Sequence, residues 1–348
     1  MAQGKAPAAK RVDWVDYAKG WCIVLVVMMH STLGVGEALG QEGWLHHFVA
    51  WARPFRMPDF FLVAGLFLSH TIKKDWTTFI DRKVLHFAYF YLLWLLIQSL
   101  LKFWPGAAAT WPLGIERLGS QLAFGLIEPF GTLWFIYLLP IFFVVTKLLR
   151  QIPVWMVLMA GAVLQMAYIE TGWTVIDEFA ARYVYFFAGY AFAPQIFEFA
   201  AKVRGKAAVT LCGLVVWGIL NGLAVGYGVA ALAGVSLVLG FAGACAVIAF
   251  AVLLARGDLL PPLRYAGANS IVIYLAFFLP MAATRTVMLK LGVISDVGAV
   301  SLIVTGVAVA TPLLLHYLVR STPLRFLFER PALLRLRESP KATLMPAE

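Results

Sequence analysis

The sequence predicts an all-α, polytopic integral membrane protein with about ten transmembrane helices and both termini in the cytoplasm. Hydrophobic residues make up 62% of its 348 residues and charged residues 13%, and the mean hydropathy is +0.84. A soluble domain carries about 25% charged residues, so this chain has too little polar surface to cover itself in water. The net charge of +10 comes from short basic clusters between long apolar runs. We therefore interpret it as a signal for membrane orientation and predict no nucleic-acid partner.

Ten mostly apolar stretches are long enough to approach the span of a bilayer, which takes about 20 residues in a helix. None alternates like a strand, and a helix satisfies its own backbone hydrogen bonds inside lipid. The stretches cover residues 18–35, 57–72, 84–104, 133–149, 154–169, 183–199, 207–227, 229–255, 269–289 and 297–319.

The positions of the basic residues predict the orientation and the domain limits. With the N-terminus inside, most of the 28 Lys and Arg residues fall in the cytoplasmic segments, as the positive-inside rule requires. We predict a cytoplasmic N-terminal segment at 1–13, one membrane domain at 14–330 and a cytoplasmic tail at 331–348. No His or Cys cluster has the spacing of metal ligands, so we predict no metal site.

The first predicted helix carries polar residues that suit acyl transfer. His30 lies deep in this helix, and Lys19 precedes it by eleven residues, which is about 16 Å of helix rise and three turns. Both side chains therefore share one face, as does Asp16, three residues before Lys19. A neutral imidazole can take a proton from a hydroxyl group, and a nearby cation can hold negative charge. Alternatively, His30 packs against a neighbouring helix and Lys19 is an ordinary snorkelling residue.

A second polar cluster comes just before the second apolar stretch. Arg53 and Arg56 are three residues apart, and Pro54 and Pro58 disfavour a continuous helix there, so the span should begin near Met57. Two guanidinium groups at this spacing could clamp a phosphate or a carboxylate. The alternative is an interfacial pair that anchors the helix end or pairs with Asp59.

Three carboxylates fall in predicted outer loops: Glu128, Asp177 and Glu178. They could contact an external substrate, although solvated loop carboxylates are common.

Several motifs together resemble the acyltransferase 3 family of multi-spanning membrane acyltransferases. The first runs Trp14-Val-Asp16-Tyr-Ala-Lys19-Gly20 and leads to His30, which follows the family's order of a basic residue, ten residues and a histidine. The others are Arg53-Pro-Phe-Arg56, the following Met57-Pro-Asp-Phe60-Phe61-Leu-Val-Ala64-Gly65, Gly131-Thr-Leu-Trp134-Phe135, and Asn269-Ser270-Ile-Val-Ile-Tyr274-Leu275.

The chain departs from the family pattern at three places. Lys19 stands where arginine is usual, Ala64 replaces a serine, and Phe277 or Phe278 occupies the region where many members carry histidine. Lysine keeps the positive charge but lacks the bidentate fork of arginine.

The resemblance implies transfer of an acyl group, commonly acetyl, from cytoplasmic acyl-CoA to a carbohydrate or another envelope molecule. His30 would be the catalytic base or an acyl relay, supported by Lys19 and Asp16. Acyl-CoA would be the donor substrate, and no bound cofactor is implied. The partners would be the lipid bilayer, acyl-CoA and an envelope glycan or similar acceptor, in a bacterial inner membrane.

The resemblance also implies binding roles for basic residues. Arg53 and Arg56 would hold donor phosphates or a charged acceptor. A basic loop could receive the nucleotide part of CoA, or could only satisfy the positive-inside rule; it contains Lys73, Lys74, Arg82 and Lys83.

Two other functions fit parts of the sequence. A transporter or exporter would also place a few buried charges among ten spans. A non-catalytic membrane scaffold would tolerate the departures at Ala64 and Phe277.

Overall fold

The computed structural model describes residues 12–109, 113–129 and 131–336. These residues form seventeen α-helices, with short 3₁₀ segments and one π-helical turn, and no strand. The helices are α1 (Asp13–Leu39), α2 (Trp44–Ala52), α3 (Arg56–Gly65), α4 (Ser69–Ile72), α5 (Trp76–Ile80), α6 (His86–Ala109), α7 (Leu113–Gly125), α8 (Trp134–Leu148), α9 (Val154–Met166), α10 (Thr174–Ala191), α11 (Ala193–Gly205), α12 (Ala207–Gly226), α13 (Val235–Gly257), α14 (Pro261–Ala268), α15 (Ser270–Ala276), α16 (Phe278–Leu291) and α17 (Val297–Val319). The all-α prediction is confirmed for these residues.

Each of the ten predicted stretches overlaps a helix, but not every stretch is one continuous span. Within the described ranges, six helical segments are long and apolar enough to cross a membrane: Asp13–Leu39, Trp76–Phe103, Trp134–Gln151, Ala207–Gly226, Val235–Gly257 and Val297–Val319. A seventh span would join α15 and α16, which meet at a bend of 55°. The count of ten spans and the side of the termini stay predictions. The predicted terminal segments, 1–13 and 331–348, lie mostly outside the described residues.

The outer surface of the bundle is apolar, as a bilayer requires. On α12, Leu211, Val215 and Ile219 are each more than half exposed (57%, 55% and 58%). Such a continuous apolar face is unfavourable in water but suits contact with lipid. The protein is therefore a multi-pass membrane protein.

Close helix crossings fix the geometry of the interior, and they depend on glycine. Where α3 crosses α10, a Cβ atom on Gly189 would lie 2.8 Å from the carbonyl carbon of Leu62 and closer still to its oxygen. A Cβ on Gly65 would lie 3.0 Å from the backbone nitrogen of Tyr190. Small residues let helix backbones approach in this way inside membranes. The crossing sets the distance between the residues that α3 and α10 contribute to the site.

Polar contacts identify the two ends of the bundle, which we call the Asp13 end and the Leu39 end after the termini of α1. At the Asp13 end, a guanidinium nitrogen of Arg330 lies 2.6 Å from a carboxylate oxygen of Asp81. At the Leu39 end, the carboxylate of Asp296 accepts hydrogen bonds from the indole of Trp44 (3.2 Å) and from the backbone N–H of Ala299 (2.6 Å).

Candidate functional site

Three cavities follow one another through the interior. The middle one, the His30 cavity, has a volume of about 220 Å³. It is lined by Val26, Met29, His30, Arg56, Met57, Phe60, Thr132, Trp134, Phe135, Glu178, Arg182 and Tyr274. His30 comes from the interior of α1, and Arg56 is the first residue of α3. The kink after α2 thus brings a guanidinium group to the same cavity as the imidazole, where Glu178 and Arg182 of α10 also lie.

Arg56 is buried and lines the His30 cavity. Its side chain is 8% exposed, and its Nε and Nη1 atoms have no hydrogen-bond partner within the described chain. Asp59, one turn later on α3, also has no partner there for either carboxylate oxygen. The pairing of Arg56 with a nearby carboxylate, which was one alternative from the sequence, is therefore not seen. A guanidinium group in the wall of a cavity is suited to a negatively charged or carbonyl group.

The second cavity, the Lys19 cavity, has a volume of about 260 Å³ and lies toward the Asp13 end. Most of its lining is apolar, but Lys19 and Lys83 both face it. The ammonium group of Lys83 lies 4.5 Å from the ring centre of Phe143, and that of Lys19 lies 5.8 Å from the ring centre of Phe67. A cation over the face of an aromatic ring is attracted by the quadrupole of the ring. This cavity combines an apolar channel with two positive charges.

An aromatic layer separates the Lys19 cavity from the His30 cavity. Phe60, Phe135 and Tyr274 line both cavities. The rings of Phe60 and Phe135 lie 4.5 Å apart between centres, and those of Phe135 and Tyr274 lie 5.5 Å apart. The hydroxyl of Tyr274 donates to the carbonyl oxygen of Thr132 and accepts from the backbone N–H of Ile136 (3.4 Å). A molecule entering the Lys19 cavity would reach His30 only past these three rings.

The third cavity, the Gln165 cavity, is the largest, with a volume of about 600 Å³. It shares Glu178 and Arg182 with the His30 cavity. These two residues form an ion pair one turn apart on α10, with 3.0 Å between Arg182 Nε and Glu178 Oε2. Arg53 lines this third cavity, whereas Arg56 lines the His30 cavity. The two arginines of the R-x-x-R element thus serve neighbouring cavities.

The outer carboxylates lie on or beside α10 and not all in loops. Asp177 and Glu178 belong to the first turns of α10 and line the Gln165 cavity. Glu128 lies before α8, and its Oε1 accepts the backbone N–H of Thr174 at 2.8 Å. The prediction that all three lie in loops is therefore wrong for two of them, because the helix begins earlier than the apolar stretch does.

Hydrogen bonds to Asp177 hold its pKa below the usual value of 3.8. The main cause is the backbone N–H of Thr171, and the Thr171 hydroxyl and the Gly172 N–H also contribute. This carboxyl group is therefore ionised at neutral pH.

Three of the predicted site residues line none of these cavities. Asp16 lies near the start of α1, where its backbone is packed against Gly267. Lys73 and Lys74 are exposed, and the carbonyl oxygen of Lys74 accepts a hydrogen bond from the buried ammonium of Lys147 at 2.6 Å. From the same basic loop, it is Lys83 that reaches a cavity.

Several residues that line these cavities were not predicted from the sequence as site residues. Arg182 and Tyr274 stand far from His30 in the sequence, and only the packing of α10 and α15 brings them to it. Lys83 lies in the π-helical turn Asp81–Leu85, which has no sequence signature. A usable signal did exist for Glu178 and Arg182, since opposite charges four residues apart beside an apolar stretch form a helical ion pair.

The fold and the site define a multi-pass helical membrane protein with a histidine and an arginine at the centre of a series of cavities. The chain belongs to the acyltransferase 3 family, because the family model, described as an acyltransferase domain, matches residues 12–317. This membership supports an acyltransferase activity.

One curated relative is similar over part of the chain. It is the inner membrane protein YcfT of Escherichia coli (strain K12), which is 25% identical over 164 residues. The match covers 40% of this chain and 44% of that protein. No solved structure matches the chain.

Proposed function

We propose that this protein transfers an acyl group, with acetyl as the first candidate, from acyl-CoA to a hydroxyl group of an envelope carbohydrate or similar acceptor. The observation that carries the proposal is the order of the cavities. The His30 cavity lies between the Lys19 cavity and the Gln165 cavity, and it shares lining residues with each. A donor from one end and an acceptor from the other would meet at His30.

The distribution of charge supports a bacterial inner membrane with the Asp13 end in the cytoplasm. Lys19, Lys83, Lys147 and Arg330 all lie toward that end. Cytoplasmic ends of membrane helices carry such an excess of basic residues. The name of the Escherichia coli relative, an inner membrane protein, agrees with this location.

The Lys19 cavity suits the donor. Its apolar walls fit an extended chain that carries an acyl thioester, and Lys19 and Lys83 can hold phosphate groups at its mouth. Lys73 and Lys74 are exposed in the segment before Lys83, where they can receive the nucleotide part of CoA. Asp16, one turn before Lys19 on α1, can position that lysine.

His30 would act as a general base. Its neutral imidazole takes the proton of the acceptor hydroxyl, and the hydroxyl oxygen attacks the thioester carbonyl carbon. Arg56 stabilises the negative charge that develops on the carbonyl oxygen, because its guanidinium group and the imidazole of His30 line the same cavity. The carbon–sulfur bond then breaks, and the thiolate of CoA recovers the proton from the imidazolium. The products are an ester and a free thiol.

An acyl relay is the second mechanism for the same residue. A ring nitrogen of His30 would attack the thioester, release the thiol and carry the acyl group to the acceptor hydroxyl. The two mechanisms differ in one observable. The relay gives protein-bound label when labelled acyl-CoA is supplied without acceptor, and the general base does not.

The test is labelled acyl transfer by membranes that contain the intact protein, His30→Ala or His47→Ala at matched expression. His47 is exposed on α2 and lines none of the three cavities, so it is the matched control. We expect transfer to be lost in His30→Ala and kept in His47→Ala. Equal transfer by His30→Ala would contradict the proposal. Solute flux without any acylated product, from the intact protein, would favour a transporter.

A further inference from the structure

The His30 cavity is too small to hold the whole acceptor. Its volume of about 220 Å³ lies below the roughly 300–1,000 Å³ of ordinary small-molecule sites. It must also admit the thioester end of the donor. The body of the acceptor therefore needs another place, from which only the reacting hydroxyl extends to His30.

The neighbouring Gln165 cavity has the required size, and its walls are rich in hydrogen-bonding groups. Gln165 donates from Nε2 to the hydroxyl of Ser236 at 3.0 Å, and the hydroxyl of Tyr168 lies 3.1 Å from the same Ser236 oxygen. Gln165 is only 9% exposed, yet its Oε1 atom has no hydrogen-bond partner among the described residues. A buried acceptor atom without a partner is costly, so the amide of Gln165 would gain from a ligand donor in this cavity.

The charges around this cavity do not favour an anion. Arg53 and Arg182 contribute two positive charges, and Glu170, Asp177 and Glu178 contribute three negative charges. Arg182 is already paired with Glu178. A polyanionic ligand would meet no excess of positive charge, whereas neutral hydroxyl groups can donate and accept at the same surface.

We infer that the Gln165 cavity binds a neutral carbohydrate acceptor and that the Glu178–Arg182 ion pair separates the acceptor body from His30. The inference rests on the proposed acyl transfer and adds the place and the charge of the acceptor. In this arrangement, Gln165, Ser236 and Tyr168 hold sugar hydroxyls. The reacting hydroxyl passes beside the ion pair into the His30 cavity.

Kinetics with a neutral malto-oligosaccharide as acceptor test the binding role. Gln165→Leu removes the amide, and Gln151→Leu makes the same change at an exposed position in the 3₁₀ turn before α9. We expect the KM for the oligosaccharide to rise about 3- to 10-fold in Gln165→Leu, as for the loss of one or two hydrogen bonds. The KM for acyl-CoA should not change, and Gln151→Leu should match the intact protein.

Thiol protection gives a measurement that does not need turnover. A single cysteine is introduced as Ala230→Cys, at the cavity wall, into a chain whose Cys22, Cys212 and Cys245 are replaced by alanine. Glu42→Cys, at an exposed turn, is the control. We expect malto-oligosaccharide to slow maleimide labelling of Ala230→Cys only. Oligogalacturonate, an anionic sugar of similar size, should slow it less.

The outcomes separate this inference from the proposed function. Transfer that needs His30 but shows an unchanged KM in Gln165→Leu would overturn the inference and leave the function intact. The absence of protection by malto-oligosaccharide, or stronger protection by oligogalacturonate, would overturn it as well. Transfer that does not need His30 would overturn the proposed function, whatever the sugar does to labelling.

Discussion

Replacing Gly189 by alanine should force apart the two helices that hold Arg56 and Arg182. The new Cβ atom would lie 2.8 Å from the carbonyl carbon of Leu62, whereas ordinary contacts begin at 3.4 Å. Backbone atoms cannot rotate away as a flexible side chain can. The α3 and α10 backbones must therefore separate by at least about 0.6 Å, the difference between these distances.

This displacement should lower both the stability of the protein and the rate of acyl transfer. Overpacking of an interior usually costs about 1–3 kcal/mol of stability. The shift also moves Arg182 and Glu178 relative to His30, and a misplacement of about 1 Å near reacting groups can lower a rate about 100-fold. We expect a lower melting temperature in detergent and a fall in acyl transfer of about ten-fold or more.

Gly213→Ala is the matched control for this substitution. Gly213 lies within α12, and a Cβ atom there would have no heavy atom within 4 Å. Alanine in an open helix interior should stabilise by about 0.5–1 kcal/mol. Thermal melting and labelled transfer are measured for both variants. If Gly189→Ala keeps both the melting temperature and the activity of the intact protein, the close crossing does not set the site geometry.

Two further predictions concern ion pairs and pH. The Arg330–Asp81 pair is buried, with side chains 6% and 10% exposed, so Arg330→Met should lower the free energy of unfolding by about 3–5 kcal/mol. The double variant Arg330→Met with Asp81→Asn should lose less stability than Arg330→Met alone, because no buried charge is left without its partner. Equal losses in the single and the double variant would refute a direct interaction. Asp177 has a lowered pKa because Thr171 and Gly172 donate hydrogen bonds to its carboxylate. These bonds therefore stabilise the folded protein fully when the pH is above the pKa of Asp177 in the unfolded chain. That stabilisation is lost as the pH falls through the pKa of Asp177 in the folded protein. The melting temperature of the intact protein should therefore exceed that of Asp177→Asn at about pH 6 by more than at about pH 3, and an equal difference at both pH values would contradict this.

Much of the fold could be predicted from hydrophobicity alone. Each predicted apolar stretch is helical because lipid leaves the backbone no other partner. The start of α3 at Arg56 was predicted to within one residue, since the prolines around it restrict the backbone. The interruptions of the helices were harder to predict. The bend between α15 and α16 falls inside a continuous apolar stretch. Its sequence signal is Pro280 in the first turn of α16, which cannot donate the hydrogen bond that would continue the helix.

The candidate site could be predicted only within single helices. Lys19 and His30 share α1, and helix periodicity relates them. The sequence does not show that an aromatic layer lies between them, because Phe135 and Tyr274 come from α8 and α15. Lys73, Lys74 and Lys83 were predicted together as parts of one basic loop, because a basic cluster does not indicate which member turns inward. Lys83 lines the cavity from the π-helical turn Asp81–Leu85.

The most direct test of acyl transfer through the His30 cavity places the donor and the acceptor on opposite sides of a membrane. Inverted vesicles that contain the intact protein, His30→Ala or His47→Ala receive labelled acyl-CoA outside and enclose malto-oligosaccharide inside. We expect labelled ester inside the vesicles for the intact protein and His47→Ala, and none for His30→Ala. Label that stays outside, or ester formation that persists in His30→Ala, would contradict transfer through the His30 cavity.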